Sequence, residues 1–285
     1  MRFSELTKHA GRTHYYPRIR RLRSDGWRDR VSVTLVRGQS PVEFAKRADG
    51  LAHAFGATSC RVRVDRPRRI WLDFLHRDPL SAPVAVPALP DPLTVVDLRK
   101  VVVGMLETGH PWTVRLQGGH VLVVGSTGAG KSSAVWALLW HLAPAIRAGL
   151  VQVFGIDPKG GMELGRAPGV FTRLVYGNGP DAVELLEHIA TLTRQRAERF
   201  RDGKVHDWTP ASGVPFVLLV VDELADVVAY QTDKGLKTRA QLALQVLTSQ
   251  GRAPGVCVIG AVQDPPQTGD RLPAPVPRQD RHAGG

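Results

Sequence analysis

The sequence predicts an α/β protein, a mostly parallel sheet with helices on both faces, preceded by a small β-α-β-β module. From about Val101 onward, short apolar runs alternate with longer stretches of helical periodicity, the pattern of βαβ units. Residues 31–74 switch from period-two alternation to helical spacing and back. Between the two regions, residues 79–92 carry five prolines among small apolar residues, too many for a helix or central strand. The 285 residues therefore divide into a basic arm at 1–28, a small α+β module at 29–77, a Pro-rich linker at 78–98 and a larger domain at 99–263. A Pro/Arg-rich tail at 264–285 is predicted to be disordered.

In the small module, Val31, Val33 and Leu35 alternate with Ser32 and Thr34, a half-buried strand. Ser40-Pro41-Val42-Glu43 joins an N-cap serine, a proline at the first helical position and a glutamate able to reach back to the cap. A helix starts there, with Phe44, Ala48, Leu51, Ala52 and Phe55 as its apolar stripe and Gly56 as its stop. Cys60/Val62/Val64 and Ile70/Leu72/Phe74 are two strands separated by Asp65-Arg66-Pro67-Arg68, and Arg61 and Arg63 share the face opposite the core. In the larger domain Val121–Val124 reads as a buried strand, Lys131 to about Ala148 as a helix and Leu150–Ile156 as a strand. Asp181–Phe200 reads as an amphipathic helix on Val183, Leu186, Ile189 and Leu192. Phe216–Val221, Leu236–Ser249 and Val256–Val262 continue as strand, helix, strand.

Hydrophobic residues make up 43% and charged residues 22% of the chain, which excludes a wholly disordered protein. No apolar run approaches the roughly 18 to 20 residues of a membrane span, and no apolar signal segment follows Met1. The expected location is the cytoplasm. Cys60 and Cys257 lie far apart, and the ten histidines form no ligand spacing with them, so neither a disulfide framework nor a zinc site is indicated. Of the net charge of +12, residues 1–77 hold +11, from 18 Lys and Arg against 7 Asp and Glu. The densest part, Tyr15-Tyr16-Pro17-Arg18-Ile19-Arg20-Arg21-Leu22-Arg23, suits nucleic-acid phosphates, an anionic lipid surface or simple solvation.

Gly125-Ser126-Thr127-Gly128-Ala129-Gly130-Lys131-Ser132 fits G-x-x-x-x-G-K-[ST], between an apolar strand and a helix. Such a loop, continued by Ser133, wraps the phosphates of ATP with backbone N–H groups. Lys131 reaches the β- and γ-phosphates, and the Ser132 hydroxyl ligates Mg²⁺. The strand Phe216–Val221 ends in Asp222-Glu223, an acid placed to hold Mg²⁺ beside one placed to polarise the attacking water. Gln263, ending the last strand, is a candidate γ-phosphate sensor. Arg252, in Gly251-Arg252-Ala253, is either an arginine finger aimed at a neighbouring subunit's nucleotide or a solvated loop charge.

These motifs, with Asp157-Pro158-Lys159-Gly160-Gly161-Met162-Glu163-Leu164, Val220-Val221-Asp222-Glu223-Leu224-Ala225-Asp226 and Gln263-x-Pro265, resemble the ordered series of FtsK/SpoIIIE DNA translocases. The resemblance covers roughly residues 12–265 and is nearest the actinobacterial plasmid-transfer branch. It implies a RecA-like P-loop motor that forms a hexameric ring, threads double-stranded DNA and moves it by ATP hydrolysis, with no small-molecule substrate beyond ATP. A membrane-anchored partner fits the same picture. The chain departs from the pattern in three places. Ala261-Val262-Gln263-Asp264-Pro265 lacks the Thr and Arg that many members carry around the Gln. The chain passes into its Pro/Arg-rich tail where members continue with more motor structure, and the N-terminal membrane segment of many members is missing. The expected function is an ATP-dependent DNA translocase in plasmid transfer or chromosome segregation. The alternative is a truncated motor that binds ATP and DNA as an accessory protein without translocating.

Overall fold

The computed structural model describes residues 6–10, 12–86, 88–89 and 96–263; the predicted tail lies outside them. They form two compact units: those up to Val86 with Gly104–Trp112, and those of 88–103 with the stretch from Thr113 on.

In the first unit, β1 (Lys8–Ala10) and β2 (Thr13–Tyr15) pair antiparallel. Next come β3 (Arg18–Ser24), β4 (Arg28–Thr34), α1 (Pro41–Ala45), α2 (Ala48–Ala54), β5 (Ser59–Arg66) and β6 (Arg69–Leu75). The last four strands make an antiparallel sheet in the order β3-β4-β6-β5. Its core packs Val33, Leu35, Cys60, Ile70, Leu72 and Phe74 against Phe44 and Leu51 of the helices. The Ser40 N–H donates to Glu43 Oε1 at 3.0 Å, so the helix starts where the capping pattern predicts. The single helix expected from there is two: Arg47, at φ −113° and ψ 12°, leaves helical geometry, and both segments bury apolar residues, Phe44 in the first, Leu51 and Ala52 in the second.

Residues 18–24, within the stretch expected as an arm, are strand β3, which extends the predicted β-α-β-β module by one strand. Arg-Ile-Arg-Arg-Leu-Arg has no period-two alternation and so hides the strand. A bulge between Ile19 and Arg21 absorbs the extra residue.

β7 (Val101–Met105) and β8 (Pro111–Val114) form a two-stranded sheet. The second unit continues with β9 (Val121–Gly125), α3 (Lys131–Arg147), β10 (Val151–Asp157), β11 (Arg173–Tyr176), α4 (Pro180–Asp202), β12 (Phe216–Val221), α5 (Leu224–Val228), α6 (Lys234–Gln250) and β13 (Val256–Gln263). Five strands make one all-parallel sheet in the order β11-β10-β12-β13-β9. Alternation within each strand sorts side chains to two layers. Phe216, Leu218, Val220, Cys257 and Ile259 pack with Val135, Leu138 and Leu142 of α3. Val217, Leu219, Val221 and Val258 pack with Leu186 and Ile189 of α4 and Leu247 of α6. Helices thus cover both faces, as predicted.

The run Val121–Val124 is not the buried strand its composition suggests. Among the described residues β9 pairs on one side only, with β13. Val121 and Val123 turn toward the α3 layer, whereas Leu122 and Val124 are 61% and 56% exposed. The strand β11, with its Arg173 and Tyr176 exposed, was too short and mixed to stand out in the sequence.

Candidate active site

Four neighbouring parallel strands, β10, β12, β13 and β9, deliver their carboxyl ends to one edge of the sheet, where open α/β sheets bind ligands. The loop Gly125–Gly130 leaves β9 and enters α3, whose first residues are Lys131, Ser132 and Ser133. Gly128 and Gly130 have φ of +78° and +85°, a backbone that only glycine adopts without strain. These two turns keep the loop open to solvent at the start of a 17-residue helix, with that helix's positive end behind it. Lys131 folds across its own loop, its Nζ donating to the carbonyls of Gly125 at 2.7 Å and Ser126 at 2.9 Å.

Of the other predicted residues, Gln263 meets this loop and Glu223 meets Gln263. Thr127 Oγ1 donates to Gln263 Oε1 at 3.2 Å, and the Gln263 N–H faces both Glu223 carboxylate oxygens at 3.3 Å. Gln263 therefore bridges the loop and the acid. Glu223 is 5% exposed because it lies where β12 passes into α5. Asp222 Oδ2 is buried without a hydrogen-bond partner, and burial pushes its carboxyl up to about 6 against the pull of Lys159. The orphaned Asp222 carboxylate oxygen and the Ser132 hydroxyl at the start of α3 are hard-oxygen donors of the kind Mg²⁺ takes. Arg252 lies elsewhere. Its Nε donates to the Gly118 carbonyl at 2.8 Å, at the amino ends of β13 and β9, so it does not reach this chain's own loop.

Sequence reasoning missed Lys159. Its Nζ lies 3.7 Å from Glu223 Oε2 and 4.0 Å from Asp222 Oδ2, a cation lodged between the two acids. The Asp157–Leu164 turn holds it there: the fully buried Asp157 carboxylate accepts the N–H groups of Lys159, Glu163 and Leu164 at 3.1, 3.0 and 2.8 Å. The available signal was the Asp-Pro-Lys-Gly-Gly run closing a strand next in space to β12. Beside α3, Ser132, Ser133, Trp136, Arg166 and Ala167 line a further pocket of about 410 Å³.

The FtsK/SpoIIIE family model matches residues 76–253. The chain belongs to the FtsK/SpoIIIE family. A second model, the actinomycete conjugal transfer protein N-terminal domain, matches residues 2–75. The DNA translocase FtsK of Lactiplantibacillus plantarum is 29% identical over 163 residues, 51% of this chain and 20% of that protein. The FtsK of Staphylococcus epidermidis is 25% identical over 234 residues, 75% of this chain and 29% of that protein. The chain thus spans less than a third of either relative. Among solved structures, the pCW3 conjugation coupling protein TcpA, a monomer with ATPgS, superimposes with TM-score 0.56 at 20% identity, covering 88% of this chain and 72% of that one. EccC of Thermomonospora curvata gives 0.50 at 22% identity, over 64% and 36%. These likenesses show the α/β fold. No helix among the described residues is long and apolar enough to cross a membrane.

Proposed function

We propose that this FtsK/SpoIIIE protein is an ATP-dependent double-stranded DNA translocase acting in plasmid transfer or chromosome segregation. The observation that carries the reading is the bridge Thr127–Gln263–Glu223, which links a phosphate-binding loop to a buried acid across two strand ends. ATP would lie along Gly125–Ser133, with Lys131 exchanging its two carbonyl partners for phosphate oxygens. Mg²⁺, held by Ser132 and Asp222, would neutralise the charge of the transferring phosphoryl group. Glu223 orients the attacking water, and Gln263, touching both sides, couples the state of the loop to that acid. Arg252, remote from its own loop, supplies charge to a neighbouring subunit of a homo-oligomeric ring, which the proposal takes to be hexameric. The actinomycete conjugal-transfer match at residues 2–75 supports plasmid transfer as the setting, with a membrane-anchored partner as the docking point of a cytoplasmic ring.

Phosphate release with and without duplex DNA, for wild type, Lys131→Ala and Glu223→Gln, tests this. Wild type should be stimulated by DNA, and both variants should lose turnover. Equal rates in all three would refute the catalytic roles. A DNA-insensitive wild type would refute the translocase reading, and nucleotide binding without turnover would identify the accessory protein instead.

A further inference from the structure

We infer that the open face of the four-stranded sheet in the first unit is a sequence-independent binding surface for the phosphodiester backbone of duplex DNA. The site is separate from the nucleotide site, though DNA as cargo rests on the function proposed above. The bulge at Ile19/Arg21 creates it. Two β3 residues then oppose one on β4, so Arg-Ile-Arg-Arg-Leu-Arg resolves into two apolar side chains toward the helices and four arginines on the other face. The registers agree: Ile19 and Leu22 stand opposite Val33 and Val31 of the core layer, whereas Arg21 and Arg23 stand opposite Ser32 and Arg30. The Arg20 Nε donates to Thr34 Oγ1 at 3.2 Å on that same outer face.

The other strands continue the array. Pairing places Arg30 opposite Asp73 and Thr34 opposite Arg69, and it places Arg61 and Arg63 opposite Asp73 and Trp71. Cations thus recur about every 7 Å along the strands, and Arg23 beside Arg30 and Arg66 beside Arg69 stand on neighbouring strands about 5 Å apart. The acids on this side, Asp65 and Asp73, are outnumbered. Asp73, 8% exposed, works as a brace beneath the arginines, accepting from Arg30 Nε at 3.1 Å and Arg63 Nε at 2.7 Å. Trp71 carries the Arg30 guanidinium 5.1 Å from its ring centre. At the rim, Glu107 pairs with Arg61.

At one end the face runs into a basic cavity of about 1050 Å³ lined by Lys8, Arg18, Arg20, Arg37 and Arg68. His14 and Tyr16 stack in its wall, with centroids 6.5 Å apart and planes at 25°. Fixed guanidiniums beside aromatic rings suit nucleic acid. A lipid surface would need apolar side chains on the same face, but Ile19, Leu22 and Val64, the exposed apolar residues of this sheet, all have registers that turn them to the opposite side.

The test is binding of the full chain to a fluorescein-labelled duplex of about 30 base pairs, followed by anisotropy over a series of salt concentrations. Each lost phosphate contact flattens the slope of log K against log salt by about 0.9. Arg20→Ala/Arg21→Ala/Arg23→Ala should therefore flatten it by nearly 3 and weaken binding at least about tenfold at low salt. Arg21→Ala/Arg66→Ala, whose side chains stand on opposite edges of the sheet, should flatten it by nearly 2. The charge-matched control Arg194→Ala/Arg199→Ala/Arg201→Ala on α4 should leave it unchanged, and basal ATPase should persist in all. An unaltered slope in both sheet variants, or equal losses in the control, overturns the inference even if DNA stimulates the ATPase. Loss of binding in the sheet variants upholds it even if DNA leaves turnover unchanged. Flotation with phosphatidylserine vesicles but no duplex binding by wild type overturns it in favour of a lipid surface.

Discussion

Gly255 lies two residues beyond Gly251-Arg252-Ala253, and the structure gives it a packing role. Its φ is +78°, and a Cβ there would lie 2.6 Å from Trp208 Cδ1 and 2.7 Å from Trp208 Cβ. Trp208 cannot easily yield. It is 3% exposed, its ring packs on Phe216 with centroids 5.1 Å apart, and its Nε1 donates to the Val214 carbonyl at 2.8 Å. Gly255→Ala should then lose about 1–2 kcal/mol to the left-handed backbone and about 1–3 kcal/mol more to overpacking. Gly213 is a natural control, with φ +68° and nothing within 4 Å of an added Cβ, so Gly213→Ala should lose only the first part. With a urea dependence of about 2 kcal/mol per molar, the middle of the usual range, the Gly255→Ala midpoint should fall below that of Gly213→Ala by about 0.5–1.5 M. In a Trp208→Ala background the excess should vanish. Coincident midpoints for the two alanine variants would refute the packing argument.

The remaining predictions concern the site and the core. Gln263→Ala should lower turnover about 10²-fold while a fluorescent ATP analogue still binds; joint loss of binding and turnover would show that the bridge organises the loop rather than the acid. Asp157→Ala strands three N–H donors and should cost about 3 kcal/mol or more, seen as a lower thermal midpoint and faster tryptic cleavage after Lys159; Asp157→Asn, which keeps one acceptor oxygen, should lose less. Burial pushes the thiols of Cys257 up to about 12 and of Cys60 up to about 11. The unfolded chain releases those protons near pH 8.5 while the folded chain keeps them, so stability should fall as pH rises from about 9 toward 11. Urea midpoints at pH 8 and 10.5 should diverge less in Cys257→Ala than in wild type.

The candidate nucleotide loop was legible in the sequence because its residues are contiguous: glycines, Lys131 and Ser132 sit within eight positions, and an apolar run and a helical stripe frame them. Asp222-Glu223 was legible for the same reason, as acids that end a six-residue apolar strand. Lys159 was not, because 63 residues separate it from Asp222 and only the β10–β12 pairing brings them together. Gln263 was placed at the right strand end, but its contact with Thr127 depends on β9 and β13 being neighbours. The basic stretch at 18–23 announced its charge and concealed its strand, since a bulge removes the alternation that reveals one.

By itself the sequence determined the α/β class, the buried strands β10, β12 and β13, the cap of α1 and the place of the glycine-rich loop between β9 and α3. Each depends on hydrogen bonding or periodicity within a dozen residues. Only the tertiary structure decided that β9 is, among the described residues, an edge strand with Leu122 and Val124 exposed, that Arg252 lies at the far end from its own loop, that Lys159 sits between the acids, and that scattered arginines share one sheet face. Those outcomes depend on which strands pair and in what register, and pairing energy is spread over residues far apart in the chain, so no local pattern encodes it.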